Sequence, residues 1–308
     1  MKNGPLAVVA AAVLWGTAGT AGLLVSADSI ALAAARLVIG GAALVLFAGR
    51  GVLRVVRPGL LLAAVAVAAY QLCFFAAVDR AGVAIGTVVA IGSGPVFTGL
   101  LSWALHGRRP SGRWALATMA AVCGCAALLA GGVLGDSGGG AAQASGRLVP
   151  GVLLALLGGL IYAFYAVTAA RAISAGAPSG AVMGVLFGGA AVIMLPILAW
   201  RGVTWLAEPR GLLAAVYLGL AATALAYFLY GRGLRTTPVA TAATLALAEP
   251  AVAALLGLVV LGEHLPPLSV AGLALLAVSL VAVAVPERRT VPEPQREAAA
   301  AARGGAGR

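Results

Sequence analysis

Ten apolar segments, each about 20 residues long, constrain this chain more than any other feature of its sequence. At a rise of about 1.5 Å per residue, such a segment forms a helix that spans the hydrocarbon core of a bilayer. The chain is 62% hydrophobic and 9% charged, far from the roughly 25% charged residues of a soluble domain. We therefore predict an all-α polytopic membrane protein with ten transmembrane helices. The predicted spans are 4–25, 29–48, 58–78, 82–105, 110–132, 148–171, 179–200, 210–231, 238–261 and 267–285.

The distribution of basic residues predicts how the spans are oriented. Short loops rich in Lys and Arg stay on the cytoplasmic side of a membrane. With the N-terminus inside, fifteen of the twenty basic residues fall on the cytoplasmic side and four on the outer side. We therefore predict a multi-pass protein of the inner (plasma) membrane with both termini in the cytoplasm. The cytoplasmic excess of basic residues then faces anionic membrane lipids, so no nucleic-acid partner is expected despite the net charge of +11.

A polar, glycine-rich segment divides the predicted spans into two groups of five. From this division we predict four regions, with the 133–147 segment acting as a flexible hinge by its composition. They are a first five-helix repeat at 1–132, a flexible linker at 133–147, a second five-helix repeat at 148–285, and a disordered cytoplasmic tail at 286–308.

An internal similarity relates the two groups of spans. Shifting the chain by 155 residues places Pro95 on Pro250 and Gly107 on Gly262. Because five is odd, equivalent helices of the two halves must cross the membrane in opposite directions. Such inverted repeats are the architecture from which alternating access arises. Duplication within a purely structural membrane protein would leave the same trace.

Several short motifs resemble one family of membrane proteins. The sequence AEPAVAALLG at 248–257, followed by LGE at 261–263, is similar to the second-repeat signature of the EamA-type transporters of the drug/metabolite transporter superfamily. GPVF at 94–97 resembles the first-repeat counterpart, and AARL at 34–37 resembles the family's second-span arginine motif. Arg108 stands where the first repeat of that family often carries an acidic residue, so an acidic role there is not transferred.

The resemblance implies a secondary transporter that works by alternating access. Members of such families move amino acids, sugars, nucleotide derivatives or drugs, and we expect efflux of amino acids or related small amphipathic compounds. The chain has no GxxxxGK[ST] loop, so transport would depend on an ion gradient or on the substrate's own gradient. No cofactor or metal is expected.

Glu249 is the carboxylate that the sequence places well within an apolar span. A charge at this depth costs several kcal/mol unless it is paired or neutralised. Glu249 is therefore a candidate for coupling transport to a proton or for contacting a substrate amine. The alternative is that it lies near a membrane face and caps backbone groups freed by Pro250.

Pro95 and Pro250 are candidates for gating. Neither can donate a helical hydrogen bond, and each clashes with the carbonyl four residues earlier, at Ile91 and Ala246. We expect each proline to bend its span. Their equivalent positions in the two halves favour a gate over two unrelated packing kinks.

Polar and aromatic residues inside the spans are the candidate substrate contacts. Arg36 either attracts a carboxylate or phosphate from within a cavity or snorkels to the outer surface. The aromatic residues lie away from the interfacial belts in which such residues are usually found, and packing against neighbouring helices is the alternative for each. The candidates are Trp15, Arg36, Tyr70, Gln71, Tyr162, Tyr165 and Tyr227.

Glycine pairs four residues apart allow close helix packing, either within the bundle or in a homodimer. They are Gly82 with Gly86 and Gly184 with Gly188.

Three other classes of membrane protein are alternatives to a transporter. An intramembrane enzyme needs a nucleophile with a base or a set of metal ligands, and neither is visible, so we predict no enzymatic activity. A channel also lines its path with sparse polar groups, although its filter usually comes from oligomers or dedicated loops. A scaffold without a ligand-sized cavity is the remaining alternative.

Overall fold

The structure is a computed structural model, and it describes most of the chain. The described residues are 3–22, 25, 27–107, 110–135, 145–260, 262 and 264–285. The predicted tail at 286–308 and most of the predicted linker at 133–147 lie outside them, as do Lys2, Arg108, Arg109 and Glu263.

Ten helical spans in the described part of the chain are long and apolar enough to cross a membrane, which confirms the predicted all-α polytopic fold. Their ends agree with the predicted ends to within three residues. The helices are α1 (Gly4–Gly22), α2 (Ser29–Ala48), α3 (Gly51–Val55), α4 (Pro58–Ala81), α5 (Val83–His106), α6 (Gly112–Gly135), α7 (Ser145–Ser174), α8 (Ser179–Arg201), α9 (Pro209–Gly219), α10 (Ala226–Gly233), α11 (Val239–Leu245), α12 (Ala248–Val260) and α13 (Pro267–Ala284).

Two of the predicted spans are not uniform α-helices. The eighth span consists of α9, a π-helical segment at Leu220–Leu225, and α10. The ninth consists of α11 and α12, with a non-helical step at Ala246 and Leu247 between them. The short helix α3 is a further addition to the prediction and joins the second span to the third.

The N-terminal end of α2 is held by one acidic side chain. Oδ1 of Asp28 accepts hydrogen bonds from the backbone N–H groups of Ile30 and Ala31 at 2.6 and 3.2 Å, which satisfies donors that a helix start leaves free. Its other oxygen lies 2.7 Å from Nη1 of Arg201, at the end of α8. The pair joins α2 and α8 at one end of the bundle and helps to orient the helix that carries Arg36.

Glycines set the close contacts between helices. A Cβ on Gly124 of α6 would lie 2.7 Å from the backbone nitrogen of Leu276 of α13, and a Cβ on Gly272 would lie 2.7 Å from the carbonyl oxygen of Gly124. Without a strong hydrophobic driving force in lipid, close backbone approach and van der Waals packing hold helices together. The close contact between α6 and α13 therefore requires glycine, which has no side-chain carbon, at these positions.

The predicted glycine pairs have different roles. Gly184 of α8 packs within the bundle, where its Cβ would be 3.4 Å from the carbonyl oxygen of Leu44 of α2. Gly188, one turn later on α8, faces Val45 of α2. In contrast, Gly82 ends α4 with a φ of 83°, which suits glycine. The homodimer stays a prediction.

We expect Gly124→Ala to lower the apparent melting temperature of the purified protein, because the added methyl group would force backbone from α13 away from α6. Overpacking of this kind costs about 1 to 3 kcal/mol. The matched control is Gly132→Ala on the same helix, where nothing lies within 4 Å of the added Cβ. Thermal unfolding in detergent compares the two variants, and equal melting temperatures would contradict the close-contact role of Gly124.

Candidate functional site

A pocket of about 110 Å³ lies inside the bundle between helices of both halves of the chain. Nine of the ten residues singled out from the sequence line this central pocket, and Pro250 is buried beside it, next to Glu249. The residues lining the central pocket are Trp15, Arg36, Tyr70, Gln71, Phe74, Phe75, Ala90, Ile91, Pro95, Tyr162, Tyr165, Tyr227, Ala243, Ala246 and Glu249.

Two opposite charges face the central pocket. Arg36 of α2 and Glu249, in the first turn of α12, both line it. They are not in direct contact: in the described part of the chain, the ion pair within 4.0 Å is that of Arg201 with Asp28. The pocket therefore presents a cationic and an anionic group with space between them.

Two N–H groups in the pocket wall are buried without a hydrogen-bond acceptor among the described residues. They are Nε of Arg36 and Nε1 of Trp15. Leaving a buried donor unpaired costs about 1 to 3 kcal/mol. Such donors are ready to bind an acceptor that enters the pocket, and a carboxylate would satisfy both the charge of Arg36 and its free N–H groups.

Aromatic rings form much of the pocket wall. The ring centroids of Trp15 and Tyr227 are 4.9 Å apart, and those of Tyr162 and Tyr165, three residues apart on α7, are 5.2 Å apart. The ring centroid of Tyr70 of α4 lies 6.1 Å from that of Tyr162. The hydroxyl of Tyr162 lies 3.3 Å from that of Tyr230. The result is an aromatic surface that suits the apolar part of a small ligand and that also carries phenol hydroxyl groups.

The break in the ninth span positions Glu249. Pro250 has no N–H to donate to the carbonyl of Ala246, and instead that carbonyl accepts the backbone N–H of Glu249 at 3.0 Å. Pro250 then lies in the first turn of α12, where its missing N–H has no helical acceptor to lose. The carboxylate of Glu249 is therefore held at the start of a half-helix, near the middle of the span.

The two prolines differ in their local structure. Pro95 lies inside the uninterrupted helix α5, whereas Pro250 follows a break. The sequence predicted a bend at each proline, at equivalent positions of the two halves. Only beside Pro250 does the helix end and restart. Their role in gating stays a prediction.

The π-helical segment brings Tyr227 to the pocket. The hydroxyl of Thr223 donates to the carbonyl of Leu218, five residues earlier, at 2.8 Å. Thr223 also packs closely against Gly40 of α2, one turn from Arg36. Because a π segment inserts an extra residue into the turn, it changes the direction in which the following side chains point. Such segments are frequent at functional sites.

Sequence reasoning missed Phe74 and Phe75, which complete the wall. They lie four residues after Tyr70 and Gln71 on α4, so they share a helix face with two residues already chosen. That spacing was a usable signal. Ala243 and Ala246 carried none, because their place in the wall depends on the break in the ninth span.

A second and larger cavity lies at the end of the bundle where α1 begins and α13 ends. Its volume is about 960 Å³, and we call it the vestibule. No signal in the sequence pointed to it, because its lining comes from the ends of many helices. The residues lining the vestibule are Pro5, Gly99, Ser102, Pro110, Ser111, Arg113, Trp114, Ala170, Arg171, Ser174, Leu234, Thr236, Thr237, Pro238, Val239, Ala240, Thr241, Ala282, Val283, Ala284 and Val285.

Comparison with known proteins gives three similarities that extend over most of the chain. The model of the EamA-like transporter family matches residues 2–130 and 149–285. A protein of Bacillus subtilis (strain 168) with the name "Uncharacterized transporter YwfM" is 40% identical over 291 residues, which cover 92% of this chain and 94% of that protein. A protein of known crystal structure matches with a TM-score of 0.78 and 22% identity, over 91% of this chain and 96% of its own. At that identity the third match shows the fold alone.

Proposed function

This chain belongs to the EamA-like transporter family and is a multi-pass membrane transporter, and from this premise we propose that it exports small zwitterionic metabolites, amino acids or related compounds, by alternating access. One observation carries the proposal. Arg36 and Glu249 line the same aromatic pocket without forming a direct ion pair.

A zwitterion fits this arrangement of charges. Its carboxylate would accept from the guanidinium of Arg36 and from Nε1 of Trp15, both of which have unpaired buried N–H groups. Its ammonium group would bind the carboxylate of Glu249, and its apolar part would contact the tyrosine rings. The pocket volume of about 110 Å³ favours a small compound over a drug-sized one.

Helix packing supports two inverted repeats with the predicted limits, 1–132 and 148–285. The helix α4 of the first half packs along α7 of the second half, and α9 and α10 of the second half pack along α1 of the first half. Likewise α5 packs on α7, and α12 packs on α1. If each span of the first half is exchanged with the span five places later, the first contact of each pair becomes the second. In such an arrangement one half rocks against the other around a site at their interface.

Glu249 would couple export to an ion gradient. One carboxylate can hold either a proton or the substrate's ammonium group, but not both. Release of one therefore accompanies binding of the other, which is the basis of exchange. Pro250 and the step at Ala246 and Leu247 would let α12 move relative to α11, and Pro95 would do so in the other half.

The orientation follows from charge. We propose that the end of the bundle with the vestibule faces the cytoplasm of a cell whose inner (plasma) membrane holds the protein. Arg113 and Arg171 line that end, and Arg50, Arg54 and Arg57 lie in the loop between the second and third spans. Basic residues in short loops stay on the cytoplasmic side.

Three small ligands test the zwitterion proposal. L-Valine has both charged groups, isobutylamine lacks the carboxylate, and isovalerate lacks the amine. We expect L-valine to raise the melting temperature of the purified protein at concentrations where isobutylamine has little effect, because ligand binding stabilises the folded state. The part of the stabilisation that is lost in Arg36→Gln should be larger for L-valine than for isovalerate. Equal stabilisation by isobutylamine, or an equal Arg36-dependent part for isovalerate, would contradict recognition of both groups.

Counterflow in liposomes then separates a carrier from a channel. Unlabelled L-valine inside the liposomes should accelerate entry of labelled L-valine, because a carrier returns faster when it is loaded. A channel gives no such acceleration. Flux without acceleration would contradict alternating access while leaving the binding result intact.

A further inference from the structure

The vestibule has the chemistry of an anion site. Arg113 and Arg171 line it, and no carboxylate is among its described lining residues. The other polar residues of its lining are serines and threonines, and Trp114 provides an indole. Its volume of about 960 Å³ accommodates an organic ion with its water.

Two donors in the vestibule wall are buried without a partner in the described part of the chain. Oγ1 of Thr237 belongs to a side chain that is only 5% exposed, and Nε1 of Trp114 is also buried. Because an unpaired buried donor is costly, an acceptor that reached either group from the vestibule would stabilise it. These groups are independent of the charges of the two arginines.

The two arginines differ in how firmly they are held. Nη2 of Arg113 donates to the carbonyl oxygens of Ala282 and Val285, at 2.5 and 2.6 Å. This fixes its guanidinium at the C-terminal end of α13, where a cation is favourable. Arg171 is exposed in the last turn of α7. A bound anion would thus meet one fixed cation and one adjustable cation.

A layer of threonine separates the vestibule from the central pocket. On α5, Thr98 lies between Pro95 of the pocket and Gly99 of the vestibule. The hydroxyls of Thr118 and Thr244 lie 2.9 Å apart, and all three threonines are at most 1% exposed. The two cavities share no lining residue.

We propose that the vestibule is a second binding site, specific for oxyanions, in which Arg171, Arg113, Thr237 and Trp114 bind a carboxylate or a phosphate group. Guanidinium groups match both oxyanions. The site is separate from the central pocket and does not depend on what that pocket carries. A soluble organic anion and the headgroup of an anionic lipid are the two sources of this chemistry.

The test measures binding of isovalerate and of inorganic phosphate by calorimetry, with the full chain in phosphatidylcholine nanodiscs. Arg36→Gln provides the background, because it removes the guanidinium of the central pocket. In this background Arg171→Gln removes a vestibule charge. Arg232→Gln is the matched control, since it removes an exposed arginine from the same end of the bundle that does not line the vestibule.

We expect the Arg36→Gln protein to keep oxyanion binding. Addition of Arg171→Gln should weaken it at least about tenfold, as loss of a charge-assisted hydrogen bond does, whereas addition of Arg232→Gln should change it less than about twofold. Thr237→Val, which keeps the shape of the side chain, should weaken binding several-fold in the background and in the wild-type chain. Absence of oxyanion binding in the Arg36→Gln background, or equal effects of Arg171→Gln and Arg232→Gln, would overturn the proposal.

Nanodiscs that contain phosphatidylglycerol distinguish the two sources. If a lipid headgroup occupies the vestibule, the lipid should suppress isovalerate binding at least about tenfold in the background, in proportion to its content. If the ligand is soluble, the anionic lipid should weaken isovalerate binding only by electrostatic repulsion from the membrane surface. That effect should disappear at high salt, which screens the surface charge. Loss of L-valine binding in Arg36→Gln belongs to the central pocket and leaves this result unaffected.

Discussion

Arg36→Gln is expected to weaken L-valine binding by about thirtyfold or more, the largest effect that we predict for a single residue. Truncating one partner of a buried, hydrogen-bonded charge pair costs about 2 to 5 kcal/mol, and each 1.4 kcal/mol is tenfold in affinity. The guanidinium of Arg36 is the cation that faces the central pocket, and its Nε is unpaired. The dissociation constant from calorimetry measures the change.

Two further variants make the result specific to the guanidinium. Arg36→Lys keeps the charge but lacks the planar fork, so we expect intermediate affinity. Arg232→Gln should bind L-valine as the wild type does. Because the partly buried guanidinium of Arg36 has no ion-pair partner among the described residues, the melting temperature of Arg36→Gln without ligand should be equal to or above that of the wild type. Wild-type affinity in a folded Arg36→Gln protein would exclude Arg36 from the substrate site.

Glu249→Gln is expected to remove the response of transport to a proton gradient. With one proton exchanged per L-valine and the membrane potential clamped, a gradient of one pH unit supports about a tenfold concentration ratio of L-valine, because both correspond to about 1.4 kcal/mol. The glutamine cannot take up and release a proton, so the ratio should fall to about one. Counterflow of L-valine should persist at raised concentrations, which would separate lost coupling from lost folding.

Proteoliposomes loaded with labelled L-valine give the measurement, with the external pH varied and the internal pH held constant. The control is Glu208→Gln, which removes an exposed carboxylate in the loop before α9. It should keep the wild-type response. An unchanged dependence on the gradient in Glu249→Gln would remove the coupling role from that residue and leave only contact with the substrate amine.

The sequence already singled out most of the central pocket, for a physical reason. A polar or aromatic residue in the middle of a span is exposed to hydrocarbon unless it faces the interior, so Arg36, Tyr70 and Glu249 are conspicuous. The exceptions follow the same logic. Ala243 and Ala246 look like ordinary lipid-compatible residues and line the pocket only because α11 ends before α12 begins.

Two departures from the predicted helices, the break in the ninth span and the π segment in the eighth, lie at the site. The step at Ala246 and Leu247 was not predicted, although Pro250 indicated a bend. The π segment at Leu220–Leu225 has no proline or glycine within it, and Thr223, whose hydroxyl donates to the carbonyl of Leu218, packs against Gly40 of α2. Local sequence does not encode such a contact with another helix.

The sequence by itself determined the solvent of this protein, the number of its spans and the residues that need an interior environment, because the cost of placing polar groups in hydrocarbon is a local property of each segment. Only the tertiary structure decided that Arg36 and Glu249 face one pocket without touching, that threonine separates this pocket from the vestibule, and that Arg113, Arg171 and Thr237 share a wall. Those relations depend on how helices distant in the chain pack, and packing is set by contacts between residues far apart in sequence.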